Sequence, residues 1–190
     1  MNHPKIIGVT GRKFNGKDTI ADYLCQNYGY VRIAYADPLK EVCRILFGFD
    51  DDQLYGKRKE EIDTRWNVTP RVLFQYIGTD IFRRQIGSVI PNLDDKFWVK
   101  CLNETIKMKL NNNPDLKFVV SDIRFQNEID SLKNEFENVK IIRVNRPSIN
   151  INTSNEHESE MIENLNNIDY EVINDSNVIN LYSKIETLFN

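Results

Sequence analysis

The sequence predicts an α/β fold: a parallel sheet of five strands with helices on both faces. Short apolar runs recur at 5–10, 31–35, 118–121, 139–144 and 170–173, and helical patterns separate them. The runs are continuously apolar rather than alternating, which is how strands buried on two faces read. The chain has 190 residues, 41% of them hydrophobic, enough for one domain with a real core and too few for two full-sized ones.

The first strand ends at Thr10 and leads into a glycine-bearing loop at 11–16. Residues 17–28 read as a helix, because Ile20, Leu24 and Tyr28 share one face, and Gly29 stops it. After the second strand, Asp37 is expected as an N-cap and Pro38 as the first residue of a helix that Gly48 ends. The charged stretch 50–68 reads as short helices and mobile loops. Thr69-Pro70 starts a helix expected to run through Leu73, Ile77 and Ile81 towards Gly87. Another helical pattern covers 95–110 and holds Phe97, Trp98 and Leu102. The third strand ends at Asp122. Helices at 126–136 and 178–189, with a short one at 162–165, complete the alternation, and 146–156 is a polar surface loop.

Net charge is −3. That argues against binding a nucleic-acid polymer, which needs concentrated Lys and Arg; a small anion needs only a local basic pocket. Cys25, Cys43 and Cys101 are odd in number and widely spaced, so reduced thiols are expected rather than zinc or disulfides. No apolar signal region follows Met1, and no apolar run approaches the ~20 residues needed to cross a bilayer. The expected location is the cytoplasm, that of the host if the source is viral, with no membrane partner.

The string Gly11-Arg12-Lys13-Phe14-Asn15-Gly16-Lys17-Asp18-Thr19 fits G-x-x-x-x-G-K between a strand and a helix, the context that a phosphate loop requires. Its glycines let backbone N–H groups turn towards phosphate oxygens, and the helix N-terminus adds positive charge. This predicts a P-loop NTPase fold. Gly11, Lys13, Asn15, Gly16, Lys17, Asp18 and Thr19 are the candidates for the donor phosphates, with Lys17 reaching the outer ones. The bland alternative is a strand-to-helix turn with a solvated lysine. Asp18 stands where Ser or Thr is usual; it either holds magnesium-bound water or caps the helix.

Asp122 ends a buried strand downstream, where P-loop enzymes hold magnesium, usually through water. Arg124, two residues on, is a candidate to bind an acceptor phosphate or to neutralise transition-state charge. Its alternative is a surface ion pair with Glu128 at i+4. A GTPase is disfavoured, because Asn145-Arg146-Pro147-Ser148 after the fourth strand lacks N-K-x-D.

These residues resemble a known family. The phosphate loop, Ala36-Asp37-Pro38-Leu39-Lys40, the segment from Arg71 to Asp80, Phe97-Trp98-Val99-Lys100, Ser121-Asp122-Ile123-Arg124 and Val144-Asn145-Arg146-Pro147 look like phage and viral deoxynucleoside monophosphate kinases, in order and over nearly the whole chain. Animal-type phosphomevalonate kinases are the runner-up. They share Gly-Lys-Asp, Ser-Asp-x-Arg and a Ser-Glu like Ser159-Glu160, and resemble the chain less around Gly78 and Trp98. The third alternative is a non-catalytic P-loop nucleotide-binding protein.

The resemblance implies an adenylate-kinase-like fold: a core at 1–36 and 115–190, a helical acceptor-binding insertion at about 37–110, and a short lid. It implies ATP and Mg2+ as cofactors and a deoxynucleoside monophosphate as acceptor; a homodimer is left open. Lys17, Asp122, Arg124 and Arg71 would be catalytic, with Asp18 and Asp122 holding metal through water. Arg71 and Arg124 would grip the acceptor phosphate, and Arg146 would flank the adenine or phosphates of ATP. Trp98 would stack on the acceptor base, with Asp37, Lys40, Gln75, Thr79 and Asp80 completing the acceptor side. Residue by residue, the alternatives are a solvated Arg71, a core Trp98, tight helix packing at Gly78 and a solvated or capping His157.

Overall fold

The computed structural model describes residues 3–148, 162 and 164–188; His157, Ser159, Glu160 and Phe189 lie outside them. Five strands pair in one sheet in the order β2-β3-β1-β4-β5: β1 (Ile6–Thr10), β2 (Tyr30–Ile33), β3 (Lys117–Ile123), β4 (Val139–Asn145) and β5 (Tyr170–Ile173). All four pairings are parallel. The central strand β1 has Phe118 and Val139 beside Ile6, and all five of its residues are buried. That burial on both faces is why its sequence is a continuous apolar run.

Helix α1 (Lys17–Tyr28) and the last helix, α7 (Val178–Thr187), cover one face. There Ile20, Leu24, Leu181 and Ile185 pack with Ile7, Val9, Val119 and Ile142. Helix α6 (Gln126–Glu135) packs on β4, burying Ile129 and Leu132. Helix α5 (Phe97–Asn112) is tied to α6 by Asn103 Nδ2 donating to Ser131 Oγ at 2.7 Å and by Lys107 beside Glu135 at 2.7 Å.

The chain divides into two compact units, Met1–Ala34 with Leu102–Asn190, and Tyr35–Cys101. The second unit begins with α2 (Asp37–Phe47), α3 (Asp51–Leu54) and α4 (Pro70–Gln75). Thr69 caps α4 by accepting from the Val72 N–H, with Pro70 at its first turn, as the sequence predicts. Asp37 differs from expectation. The residue before α2 is Ala36, already in helical conformation, so Asp37 sits inside the first turn and not at the cap. An acid in the first turn still complements the helix dipole.

The helix expected from Thr69 towards Gly87 does run that far, but not as one α-helix. It widens into a π-helical stretch over Tyr76–Gln85 and tightens again at Ile86–Ser88. The charged stretch 50–68 is pinned by ion pairs: Arg58 to Asp50 and Asp52, and Arg65 to Asp63 at 2.6 Å. The second strand ends at Ile33, short of Tyr35, because its ladder to β3 stops at Val120. Among the described residues the short helix expected at 162–165 is not formed: Ile162 and Leu165 lie outside any helix, and the Leu165 N–H donates to the Ile162 carbonyl at 3.4 Å as in a single turn. All three cysteines are free thiols, and burial pushes Cys43 up to about 11. Among the described residues no helix is long and apolar enough to cross a membrane.

Candidate functional site

The strand order reverses at β1, with β3 and β2 on one side and β4 and β5 on the other. Open parallel sheets bind ligands at the carboxyl end of such a switch point. The phosphate loop starts there. Gly11 has φ +155°, and a Cβ on it would lie 2.5 Å from the Val144 carbonyl oxygen, so backbone space and conformation both require glycine. Gly16 has φ +105°. Between them Phe14 takes φ 67° with its ring exposed, and Lys13 Nζ lies 4.9 Å from the ring centroid. A non-glycine residue held there is strained by about 1–3 kcal/mol, and such strain clusters at ligand clamps.

Lys17 is the first residue of α1. Its Nζ donates across the loop to the Gly11 carbonyl at 2.7 Å and the Arg12 carbonyl at 2.9 Å. The ammonium therefore sits over the loop. Thr19 is half-buried in the same turn.

Asn15 was expected to face donor phosphates, and its side chain does not. It is buried and donates through Nδ2 to the Val144 carbonyl at 3.0 Å, while its own carbonyl accepts from Asn174 Nδ2 at 2.9 Å. The Asn174 N–H in turn donates to the Asn145 carbonyl at 2.7 Å. Asn15 thus shapes the loop from behind. Asn174, buried just past β5, escaped the sequence reading because it stands in a polar run that reads as a plain loop.

Asp122 lies inside β3 rather than at its end. Gly8 pairs with Val120 and Thr10 with Ile123, so Ser121 and Asp122 together oppose Val9 in a bulge. Bulges re-aim side chains beside active sites. Past the strand, buried Glu128 accepts the main-chain N–H groups of Arg124 at 2.8 Å and Phe125 at 3.1 Å, fixing the turn that carries Arg124. Arg146 is half-buried one residue beyond β4.

Asp18 does not cap α1; the helix start at Gly16 has no side-chain cap. Its carboxylate pairs with the guanidinium of Arg32 on β2. Arg32 also reaches Asp22 Oδ1 at 3.0 Å and Ser121 Oγ at 3.1 Å. Burial alone would lower the Arg32 pKa, but Asp18 and Asp22 reverse that and raise it. Among the described residues no group of three or more His, Cys, Asp or Glu is placed to hold a metal.

In the second unit, Arg71 donates from Nε to Glu60 Oε1 at 2.7 Å. Lys40 Nζ lies 4.1 Å from the Tyr55 ring centroid, and the Tyr55 pKa is raised by burial and then by the charges of Asp37 and Glu41. Asp80 accepts from Arg84 at 2.8 Å, and Gln75 ends α4 half-buried. Two expected acceptor contacts turn inward instead. Thr79 is buried in the π-helical stretch. Trp98 is 6% exposed, packs against Phe82 and Phe97, and donates its indole N–H to the Gly78 carbonyl at 2.8 Å. It is a core residue, not an open stacking platform. At Gly78 itself a Cβ would come 2.8 Å from Leu39 Cδ2, so packing accounts for the glycine.

A sequence profile described as deoxynucleotide monophosphate kinase matches residues 49–185. A protein of Acanthamoeba polyphaga mimivirus, assigned as a deoxynucleotide monophosphate kinase, is 34% identical over 183 residues, 95% of this chain and 93% of that protein. The deoxynucleotide monophosphate kinase of Enterobacteria phage T4 is 23% identical across 96% of this chain and 97% of its own. A crystal structure of a sugar kinase from Janibacter sp. superposes with a TM-score of 0.51 at 12% identity, covering 97% of this chain and 93% of that one, a likeness of fold alone. These matches decide for a nucleotide kinase over the phosphomevalonate-kinase and non-catalytic readings. The chain belongs to the deoxynucleotide monophosphate kinase family, and the protein is a nucleoside monophosphate kinase.

Proposed function

We propose that the protein transfers the γ-phosphoryl group of ATP, with magnesium, to a deoxynucleoside monophosphate. The observation that carries this reading is the meeting of a glycine-built loop, the Lys17 ammonium and a bulge-borne Asp122 at the switch point of the sheet. Phosphoryl transfer asks little covalent chemistry of the protein; positioning and charge neutralisation carry it. On this reading Lys17 exchanges the Gly11 and Arg12 carbonyls for donor phosphate oxygens. Gly11, Lys13, Gly16 and Thr19 form the rest of the donor cradle, and Arg146 flanks the adenine or the phosphates.

Asp122 is the metal-side carboxylate, acting through water. Magnesium keeps most of its waters and takes one or two carboxylates plus phosphate oxygens, so a single acid at this place fits it. When bound, the metal would supply charge neutralisation at the donor phosphates. Arg124, on its Glu128-fixed turn, neutralises charge on the transferred group. We assign the acceptor-binding insertion to Tyr35–Cys101. There Arg71 leaves Glu60 to grip the acceptor phosphate, and Asp37, Lys40, Gln75 and Asp80 line the acceptor side. A guanidinium suits this because it binds phosphate bidentately.

The test is coupled ADP release with a panel of deoxynucleoside monophosphates, their ribose counterparts and phosphomevalonate, while magnesium is titrated. Turnover with a deoxynucleoside monophosphate that vanishes on chelation is expected. Turnover with phosphomevalonate alone would overturn the acceptor assignment.

A further inference from the structure

Arg32 has no part in the transfer described above, yet it touches both halves of the donor side. It stands on β2, two strands from β1 in the sheet. One guanidinium reaches three side chains on two elements: Asp18 and Asp22 on α1, and the hydroxyl of Ser121 on β3. Asp18 directly follows Lys17. Ser121 is buried and shares the bulge with Asp122.

A carboxylate in the first turn after a phosphate loop is a liability, since it repels the anion that the helix N-terminus and lysine attract. We propose that Arg32 is a positioning residue of the donor site. It neutralises Asp18 and holds that carboxylate on the β2 side of α1, and it ties the same turn to the bulge that carries Asp122. The role suits arginine, because each guanidinium nitrogen serves a different partner, Nε on Ser121, Nη1 on Asp22 and Nη2 on Asp18, a spread that lysine's point charge does not reproduce. The inference rests on the reading that the loop binds donor phosphates, and it adds what keeps Asp18 from opposing that binding.

The experiment is calorimetric titration of ATP, with and without magnesium, into the wild-type protein and the variants Arg32→Gln, Arg32→Lys, Asp18→Asn, Arg32→Gln/Asp18→Asn and Lys17→Ala, each checked by thermal unfolding. Arg32→Gln is expected to weaken ATP binding on the order of tenfold at low salt, through an uncompensated charge near the phosphates. The loss should shrink at about 0.5 M salt, where screening acts within a few ångströms. The double variant should recover most of the affinity, because the offending carboxylate is gone. A double variant as weak as Arg32→Gln, or Arg32→Gln binding ATP like wild type at both salts, would overturn the proposal. Should Arg32→Gln fail to fold, Arg32→Lys decides. A salt-dependent loss smaller than Lys17→Ala's supports the role, and wild-type binding overturns it. Lys17→Ala separates the two levels: unimpaired binding there would remove the donor-loop reading itself, whereas impaired binding there with normal Arg32 variants would remove only the role of Arg32.

Discussion

Asn174 donates its side-chain amide to a carbonyl of the phosphate loop, and Asn15 passes the connection on to β4. Asn174→Ala leaves the buried Asn15 carbonyl without its donor, which typically costs about 1–3 kcal/mol. Loosening the loop from behind should raise the ATP KM and leave the acceptor KM near wild type. Urea titration with two-substrate kinetics checks this; lost stability with an unchanged ATP KM would confine Asn174 to the fold. The loop was legible because its glycines, lysine and flanking strand and helix are local. The direction of each side chain was not. A motif string locates backbone and so assigns Asn15 to the ligand, whereas its side chain's partner, the Val144 carbonyl, stands 129 residues away. Arg32 was missed for the same reason: its ladder position, Arg32 beside Val119, emerges only when β2 and β3 pair.

The element that the sequence half described is the helical run from Pro70 to Ser88. Leu73, Ile77 and Ile81 recur every four residues, and that spacing gives length without distinguishing an α turn from a wider one. The widening at Tyr76–Gln85 accompanies two tertiary contacts: Leu39 against Gly78, and the Trp98 indole on the Gly78 carbonyl. Wide turns persist where a side chain enters the helical hydrogen-bond ladder. Trp98→Phe removes that N–H while keeping most of the ring packing. It should lower stability by about 1–3 kcal/mol with little change in the acceptor KM. The urea midpoint and KM for the preferred monophosphate test it together. A large rise in that KM with unchanged stability would return Trp98 to the acceptor side. Caps and stops at Thr69, Gly29 and Gly48 are legible because each is decided by its own residue and its immediate neighbours, whereas the Asp37 cap is not, since Ala36 before it is already helical.

At the scale of the whole molecule, stability should depend on acid through the second unit. The Asp63 carboxyl is held well below the usual carboxylate range, first by hydrogen bonds from Arg65 and then by Gln53. A depressed folded-state pKa gives stabilisation that is complete above the unfolded value, near 3.9, and is lost as pH falls through the folded one. Urea midpoints between pH 7 and pH 3 should fall for the wild type and fall less for Asp63→Asn; equal slopes would exclude this carboxylate as a source. The sheet was legible throughout because apolar strand runs are local signals. Strand order was not, since it is a matter of partners. That order also sets when the protein becomes competent as it is made. The central strand is synthesised first, yet its neighbours come from Lys117–Ile123 and Val139–Asn145, and the loop's last support is Asn174. Pairings so distant in sequence form slowly and late. A nascent chain still short of residue 174 therefore carries a complete phosphate-loop sequence that lacks its last support, and nucleotide binding should reach full strength only once residue 174 has left the ribosome.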